Sequence, residues 1–359
     1  MSQTTAIGAI DEAKVEAFVG QIVAEVGATV NAALVVIGDR LGLWRAMADG
    51  RPVTAAALAA RTGTNERYVR EWLSAQAAGG YVTYQADGER FSLPAEHALA
   101  LADETSPVFL AGAFQTATAV LRAQDALAER FRTGAGFGWH EHDAGLFDGC
   151  ERHFGTLYRS QLVQDWLPAL DGVVDRLTAG ARVADVGCGH GASTVLMAQA
   201  FPAATFVGYD YHEASVATAR ARAQAAGLDD RVSFEVAPAA KLPDTGFDLV
   251  TVFDALHDMG DPVAAATRLR ESLTPDGTCM IVEPAAADDL AGNLHPIGRF
   301  AYAMSTLVCT PASLAQEGQR ALGTQAGPAR ITQVLRRAGF TRVRCAVTTP
   351  FNLVFEARP

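Results

Sequence analysis

The 359-residue sequence has no Cys-x-x-Cys pair, and its five cysteines (Cys150, Cys188, Cys279, Cys309, Cys345) are scattered singly. That argues against a disulfide framework or a cysteine-rich zinc site and fits reduced, mostly buried thiols in a cytoplasmic protein. Positive charge is also scarce. Twenty-nine Lys and Arg stand against 40 Asp and Glu, a formal net charge of −11, which opposes general affinity for nucleic acid or anionic membrane. The opening MSQTTAIGAIDEAKVEAF has neither a basic start nor an apolar core, so no signal peptide is expected. The longest charge-free stretch, residues 186 to 209, contains four glycines and Pro202 and does not read as a membrane span. What is present is apolar: 49% hydrophobic against 19% charged residues describes a folded chain, long enough for two domains.

Residues 182–211, RVADVGCGHGASTVLMAQAFPAATFVGYDY, say most about function. An apolar strand (183–186) runs into the loop Gly187-Cys188-Gly189-His190-Gly191, followed by a helix (193–200) and a second strand (205–209) that ends on Asp210. Glycines let backbone approach a nucleotide-like ligand, and an acid at the tip of the second strand can take both ribose hydroxyls. Gly187-x-Gly189-x-x-Ala192 satisfies a loose dinucleotide fingerprint, so NAD is one candidate. Asp185, two residues before the first glycine, would repel a pyrophosphate and favours a ligand with a cationic ammonium group, such as S-adenosylmethionine.

Upstream, two amphipathic patterns open the chain. Val15, Phe18, Val19, Ile22, Val23 and Val26 recur at helical spacing behind Asp11 as a cap, and Val30, Ala33, Leu34, Ile37, Leu41 and Trp44 repeat the pattern. Residues 51–94 read as a winged helix. Thr54 caps a helix to Arg61, Gly63 turns, and Thr64 caps a second helix through Ala78 with Tyr68, Val69, Trp72 and Leu73 facing inward. The runs 81–84 and 90–93 then flank the turn pair Asp87-Gly88 as a hairpin. Five arginines, no lysine and four acids leave this segment nearly neutral, without the electrostatic footprint of a DNA reader. Residues 1–100 are therefore expected to be a winged-helix dimerisation domain holding a homodimer.

Residues 101–180 read as a helical linker and substrate-lining region. Within it, the exposed-looking loop GAGFGWHEHD (134–143) gathers His140, Glu141 and His142, which fit a polar loop near a pocket better than a metal site. From 181 to 359 strands and helices alternate, with further strands at 232–236, 248–253, 278–283, 341–348 and 351–356. A parallel sheet that closes in an antiparallel hairpin does not suit an NAD domain.

With Asp185-x-Gly187-x-Gly189-x-Gly191, Asp210 and Phe253-Asp254-Ala-Leu-His257-Asp258 assembled, the chain resembles the class I S-adenosylmethionine-dependent methyltransferases. It is most similar to small-molecule O-methyltransferases with an N-terminal winged-helix dimerisation domain. The resemblance implies an α/β, Rossmann-like seven-stranded sheet in 181–359, parallel with a terminal antiparallel hairpin, and S-adenosylmethionine as cofactor. It places Gly187 and Gly189 at the methionine part, Asp210 on the ribose, Tyr211 near the adenine, and Phe253 and Asp254 beside the cofactor. Ala237 and Pro238 fall at the adenine edge, where an acid is frequent and here missing, so that recognition would rest on backbone groups.

Methyl transfer is an in-line displacement, so the protein positions the acceptor and, for a hydroxyl, removes its proton. His257 lies four residues beyond the fourth strand and can serve as that base, with Asp258, Asp261 or Glu283 to orient it. Leu256-His257-Asp258 matches the sequence that supplies the base in plant-type O-methyltransferases, so Asp258 and Glu283 join His257 as candidate catalytic residues. Two alternatives stay open. His257 and Asp258 could bind a divalent metal with His295 or Cys309 and methylate carbon beside an α-keto acid. The chain could instead be a cofactor-sensing winged-helix regulator.

Overall fold

The computed structural model describes residues 10–359, so the expectation of no signal peptide falls partly on residues outside it. The chain forms two compact units divided between Thr118 and Ala119. The first begins with α1 (Glu12–Arg40), capped by Asp11, whose carboxylate accepts from the N–H groups of Ala13 and Lys14. The first amphipathic pattern and the second as far as Ile37 are one helix, because no residue between Val26 and Val30 breaks it and the Gly27 backbone stays helical. Leu41 and Trp44 lie beyond its end, Trp44 in the next helix. Only its last third, around Ala32, Val35 and Val36, is buried. Val15, Phe18, Val19, Ile22, Val23, Val26 and Val30 lie exposed along the rest. By length and composition α1 is the one described helix long and apolar enough to cross a membrane.

After the short α2 (Leu43–Ala46), α3 (Ala55–Thr62) and α4 (Glu66–Ala78) form the helix–turn–helix. Strands β1 (Thr83–Gln85) and β2 (Arg90–Ser92) pair antiparallel as the wing, and α5 (Ala95–Leu101) follows. Two local expectations change. Asn65, not Thr64, caps α4 by accepting from Arg67 N–H, since Thr64's hydroxyl is taken by Thr62 at 2.8 Å. Tyr68 points outward, because Val69, Trp72 and Leu73 already fill the inner face of α4. The centre of this unit is a pair of indoles: Trp44 Nε1 donates to Val35 O and Trp72 Nε1 to Leu34 O, with Trp44 and Trp72 edge-on at 4.6 Å. Gly38 leaves room for both, since a Cβ there would stand 2.6 Å from the Trp72 ring and 2.7 Å from Trp44 Nε1. Gly38→Val is expected to destabilise the protein by about 1–3 kcal/mol through overpacking, read as an earlier thermal unfolding transition.

The division between the units falls within α6 (Ala111–Val120), and α7 (Gln124–Thr133), α8 (Ala144–Leu157), a π-helical stretch (Tyr158–Trp166) and α9 (Val173–Ala179) come next. A seven-stranded sheet then builds from β3 (Arg182–Val186), β4 (Thr205–Asp210), β5 (Val232–Val236), β6 (Phe247–Phe253), β7 (Leu273–Pro284), β8 (Arg342–Thr348) and β9 (Asn352–Arg358) in the order β5-β4-β3-β6-β7-β9-β8. The first five are parallel; β9 enters antiparallel between β7 and β8. Helices α10 (Ala192–Ala200), α11 (Glu213–Ala225), α12 (Pro262–Ser272), α13 (Pro296–Met304), a second π stretch (Ser305–Cys309), α14 (Thr310–Leu314) and α15 (Gly327–Arg337) complete the unit. The inner strands are apolar runs because both faces are covered. Val183, Met280 and Val354 pack on one side with Trp166 and Met197, while Ala184, Ile281 and Phe355 pack on the other with Leu269 and Leu335. One edge strand, β8, carries exposed Arg342 and Arg344, and the other, β5, carries exposed Ser233 and Glu235.

Candidate functional site

The loops at the carboxyl ends of β3, β4, β5 and β6 enclose a cavity of about 800 Å³, the position where open α/β sheets bind ligands. Its wall includes Gly187 to Gly189, Asp210, Tyr211, Ala237, Pro238, Phe253, Asp254 and Asp258. Strand order accounts for this gathering: the four strands are neighbours, so their carboxyl ends share one rim.

The glycine loop is held open by Asp210. Its Oδ2 accepts from Gly189 N–H at 2.9 Å and its Oδ1 from His212 N–H at 2.8 Å, while burial pushes its pKa above the ordinary carboxylate value. Gly189 sits at φ +52° with nothing within 4 Å of where a Cβ would stand, and Gly187, at φ +76°, would bring a Cβ to 2.9 Å from Ala255. The backbone there is cradle-shaped, with free space above one glycine and the β6 loop hard against the other.

Asp185 is placed differently from the sequence reading, which gave it to a ligand's ammonium group. Its carboxylate accepts from Ser193 Oγ (2.7 Å), Thr194 Oγ1 (2.6 Å) and Thr251 Oγ1 (3.0 Å), is buried, and does not form part of the cavity wall. A buried carboxylate must be satisfied by donors, and the first turn of α10 and the middle of β6 supply three. Asp185 therefore clamps the loop's flanks.

Tyr211 is partly exposed on the cavity wall, and its phenol meets the Trp139 backbone. Ala237 and Pro238 form the wall beyond β5, with no acidic side chain of their own. Phe253 is buried against Tyr158, ring centroids 5.1 Å apart. Asp254 stands in the left-handed region at φ +48°, a strained conformation for a non-glycine that costs about 1–3 kcal/mol. Asn352 Nδ2 donates to its Oδ1 at 3.2 Å, and Oδ2 is buried without a partner. Burial, reinforced by Glu283, pushes Asp254 up to about 8.

His257 follows on a single 3₁₀ turn (Leu256–Asp258) and is buried. Of the three groups expected to orient it, Glu283 does so: Oε2 lies 2.6 Å from His257 Nδ1, and Oε1 accepts from Leu256 N–H. Asp261 instead caps α12, and Asp258 Oδ2 accepts from Trp139 Nε1 at 2.9 Å. Burial alone would lower the His257 pKa, but the Glu283 carboxylate and a hydrogen bond with Cys309 hold it well above its ordinary value. Thr324 Oγ1 donates to that same sulfur at 3.2 Å. His257 is not part of the cavity wall, whereas Asp258 is, with its pKa pushed up to about 6 chiefly by burial.

Several neighbours were not legible beforehand. Trp139 and Phe147 line the cavity, with Phe147 stacked on His212 at 4.7 Å. Glu151 on α8 pairs with Arg222 (2.6 Å) and His190 (2.8 Å) and ties α8 to the glycine loop. The loop 134–143 is less exposed than its composition implied: Phe137, Gly138 and His142 are buried, since Phe137 N–H donates to Pro311 O. Glu141 caps Gly138 N–H and pairs with Arg130. Among the described residues no three His, Cys, Asp or Glu side chains come together as metal ligands, and His295 caps α13 by accepting from Gly298 N–H.

Comparison with known proteins follows the same division. Residues 177–339 match the family described as a methyltransferase domain, and residues 29–103 match the Rv2258c-like winged HTH domain. The chain thus carries a winged helix-turn-helix domain followed by a methyltransferase domain. The 27-O-demethylrifamycin SV methyltransferase of Amycolatopsis mediterranei (strain S699) is 33% identical over 150 residues, 40% of this chain and 55% of that one. The trans-aconitate 2-methyltransferase of Variovorax paradoxus (strain S110) is 38% identical over 108 residues, 30% of this chain and 40% of that one. The chain spans about half the length of the first of these curated relatives and less of the second. Among solved structures, mitomycin 7-O-methyltransferase MmcR superposes with a TM-score of 0.69 at 22% identity, covering 97% of this chain and 99% of that one. Human N-acetylserotonin methyltransferase gives 0.64 at 17% identity, covering 98% and 99%. At these identities the likeness is one of fold.

Proposed function

We propose that this chain transfers a methyl group from S-adenosylmethionine to a small-molecule acceptor, most simply a hydroxyl. The observation that carries this reading is the cradle formed by Gly187 and Gly189 over Asp210, set in a cavity of about 800 Å³ inside a methyltransferase domain. The residues present fit such a cofactor. Asp210 would accept from the two ribose hydroxyls, Gly187 and Gly189 would admit the methionine part, and Tyr211, Ala237 and Pro238 would border the adenine. When bound, the cofactor supplies an electrophilic methyl on a sulfonium. The protein's share is to hold the acceptor in line and take its proton.

His257 is the base in this reading, with Glu283 fixing its ring and Asp258 marking the neighbouring cavity wall. An acceptor hydroxyl would reach the imidazole nitrogen that now meets the Cys309 thiol. The exposed apolar stripe of α1 supports a homodimer, and the nearly neutral winged segment supports assembly rather than DNA reading as its role.

Asp210→Ala removes the acceptor for two hydroxyls and the anchor of Gly189. Affinity for S-adenosylhomocysteine should fall by about 2–3 kcal/mol in titration calorimetry. Binding of NAD with no binding of S-adenosylhomocysteine would overturn the function.

A further inference from the structure

Resting on the methyl-transfer reading above, we propose that His142 determines acceptor specificity by receiving a second oxygen function of the methyl acceptor. The class it selects is a flat aromatic with one hydroxyl at the base and another at its far edge. Most polar side chains of the loop 134–143 are already occupied or open to solvent. Glu141 is spent on Gly138 N–H and on Arg130, Asp143 caps α8, and His140 is exposed. His142 differs. It is only 8% exposed, and neither ring nitrogen has a hydrogen-bond partner. Burial drives its pKa down to about 4, so the ring is neutral at pH 7 and offers one N–H and one lone pair. An unpaired buried imidazole costs stability that a phenylalanine of similar shape would not.

The surroundings suit the edge of an aromatic ligand. Phe137 meets the His142 ring edge-on at 4.7 Å, and the Trp139 ring lies at 6.3 Å. Arg130 stands over the same Phe137 ring, its guanidinium carbon 5.9 Å from the centroid, and its Nε is also buried without a partner. An Arg130 N–H and a neutral imidazole together call for one small group that both accepts and donates, as a hydroxyl does. Arg130 is already paired with Glu141, so the corner has no free positive charge to draw a carboxylate.

Two routes lead from this corner to the base. Trp139 forms part of the cavity wall, and its Nε1 donates to Asp258, the residue after His257. Leu307 packs both against the apolar group that holds Phe137 and against the one that holds Cys309, and Cys309 meets His257. An aromatic acceptor with its reacting hydroxyl at His257 therefore reaches His142 with its opposite edge by lying along Trp139.

The test uses the full chain loaded with S-adenosylhomocysteine and titrated in a calorimeter with 2-naphthol and with the dihydroxynaphthalenes. Wild-type protein should bind at least one diol roughly tenfold or more tightly than 2-naphthol. His142→Phe, which keeps the shape of the ring, should lose most of that preference while unfolding at no lower temperature than wild type. His142→Gln, which restores a donor and an acceptor, should recover part of it. In turnover with S-adenosylmethionine, His142→Phe should raise KM for the preferred diol by roughly tenfold and change kcat far less. A merely structural histidine would move the unfolding temperature and leave the preference for the diol intact, and that result overturns the proposal. So does loaded wild-type protein that binds the diols no better than 2-naphthol, or binds neither, a result that needs no variant to fold. Failure of wild-type protein to bind S-adenosylhomocysteine overturns the cofactor reading and this proposal together.

Discussion

Replacing His257 by alanine should lower methyl-transfer turnover by roughly 10²–10⁴ while leaving S-adenosylhomocysteine affinity nearly unchanged. The imidazole lies outside the cofactor cavity wall, so its loss touches the proton and not the ligand. Its direction of titration adds a second readout. Because Glu283 and Cys309 hold the His257 pKa above its ordinary value, the ring becomes a free base only as pH rises past the usual imidazole range. Turnover should therefore climb toward alkaline pH, and Glu283→Gln, which removes the charge that retains the proton, should move the climb to lower pH. The folding contribution runs the opposite way. A histidine with a raised folded pKa stabilises the protein fully below about pH 6.5 and loses that contribution as pH rises through the folded value. Initial rates across pH, with an acceptor found by screening hydroxylated aromatics, check the first part. Unchanged turnover in His257→Ala would leave the histidine to its observed work of joining β7 to the second π stretch.

Substituting Phe18 and Ile22 by glutamate is expected to convert the protein from a dimer to a monomer in light scattering. Both side chains lie exposed on the α1 stripe. Burying each against a second copy is worth about 1.5–3 kcal/mol, and a symmetric contact counts every residue twice. Four such losses amount to roughly 6–12 kcal/mol, more than most dimers can spare. The opposite face of the same helix, with Ala13, Gly20, Ala24 and Gly27, is also unusually plain, as suits a helix enclosed on more than one side. A monomer for the unaltered chain would remove the basis of this expectation.

Elements with a clear period were legible in the sequence. The strand ends at Asp210, Val236 and Phe253 fell where the apolar runs stopped, because a parallel strand is such a run bounded by loop residues. The glycine loop was legible for the same local reason. Groups that owe their role to distant partners were not. Asp185 looks the same in the sequence whether its carboxylate meets a ligand or three hydroxyls, and Thr251, one of those partners, is 66 residues away. The choice of Glu283 over Asp258 and Asp261 as the partner of His257 depends on β7 lying beside β6, a fact of sheet order. Asn352 carried no signal at all, since it reaches Asp254 across 98 residues only because β9 is inserted next to β7. The helical break expected near Val30 was an artefact of pattern drift along a helix of 29 residues.

The two borders of the seven-stranded sheet bear on how copies of this chain meet. Arg342 and Arg344 on β8, and Glu235 on β5, place charge along the unpaired backbone of both outermost strands. A second copy approaching border to border must match arginine with arginine or glutamate with glutamate if like strands pair, so ladder extension is disfavoured. Even the remaining β8-to-β5 match would have to insert polar side chains at every second position. The sheet is thereby guarded against fibrous polymerisation.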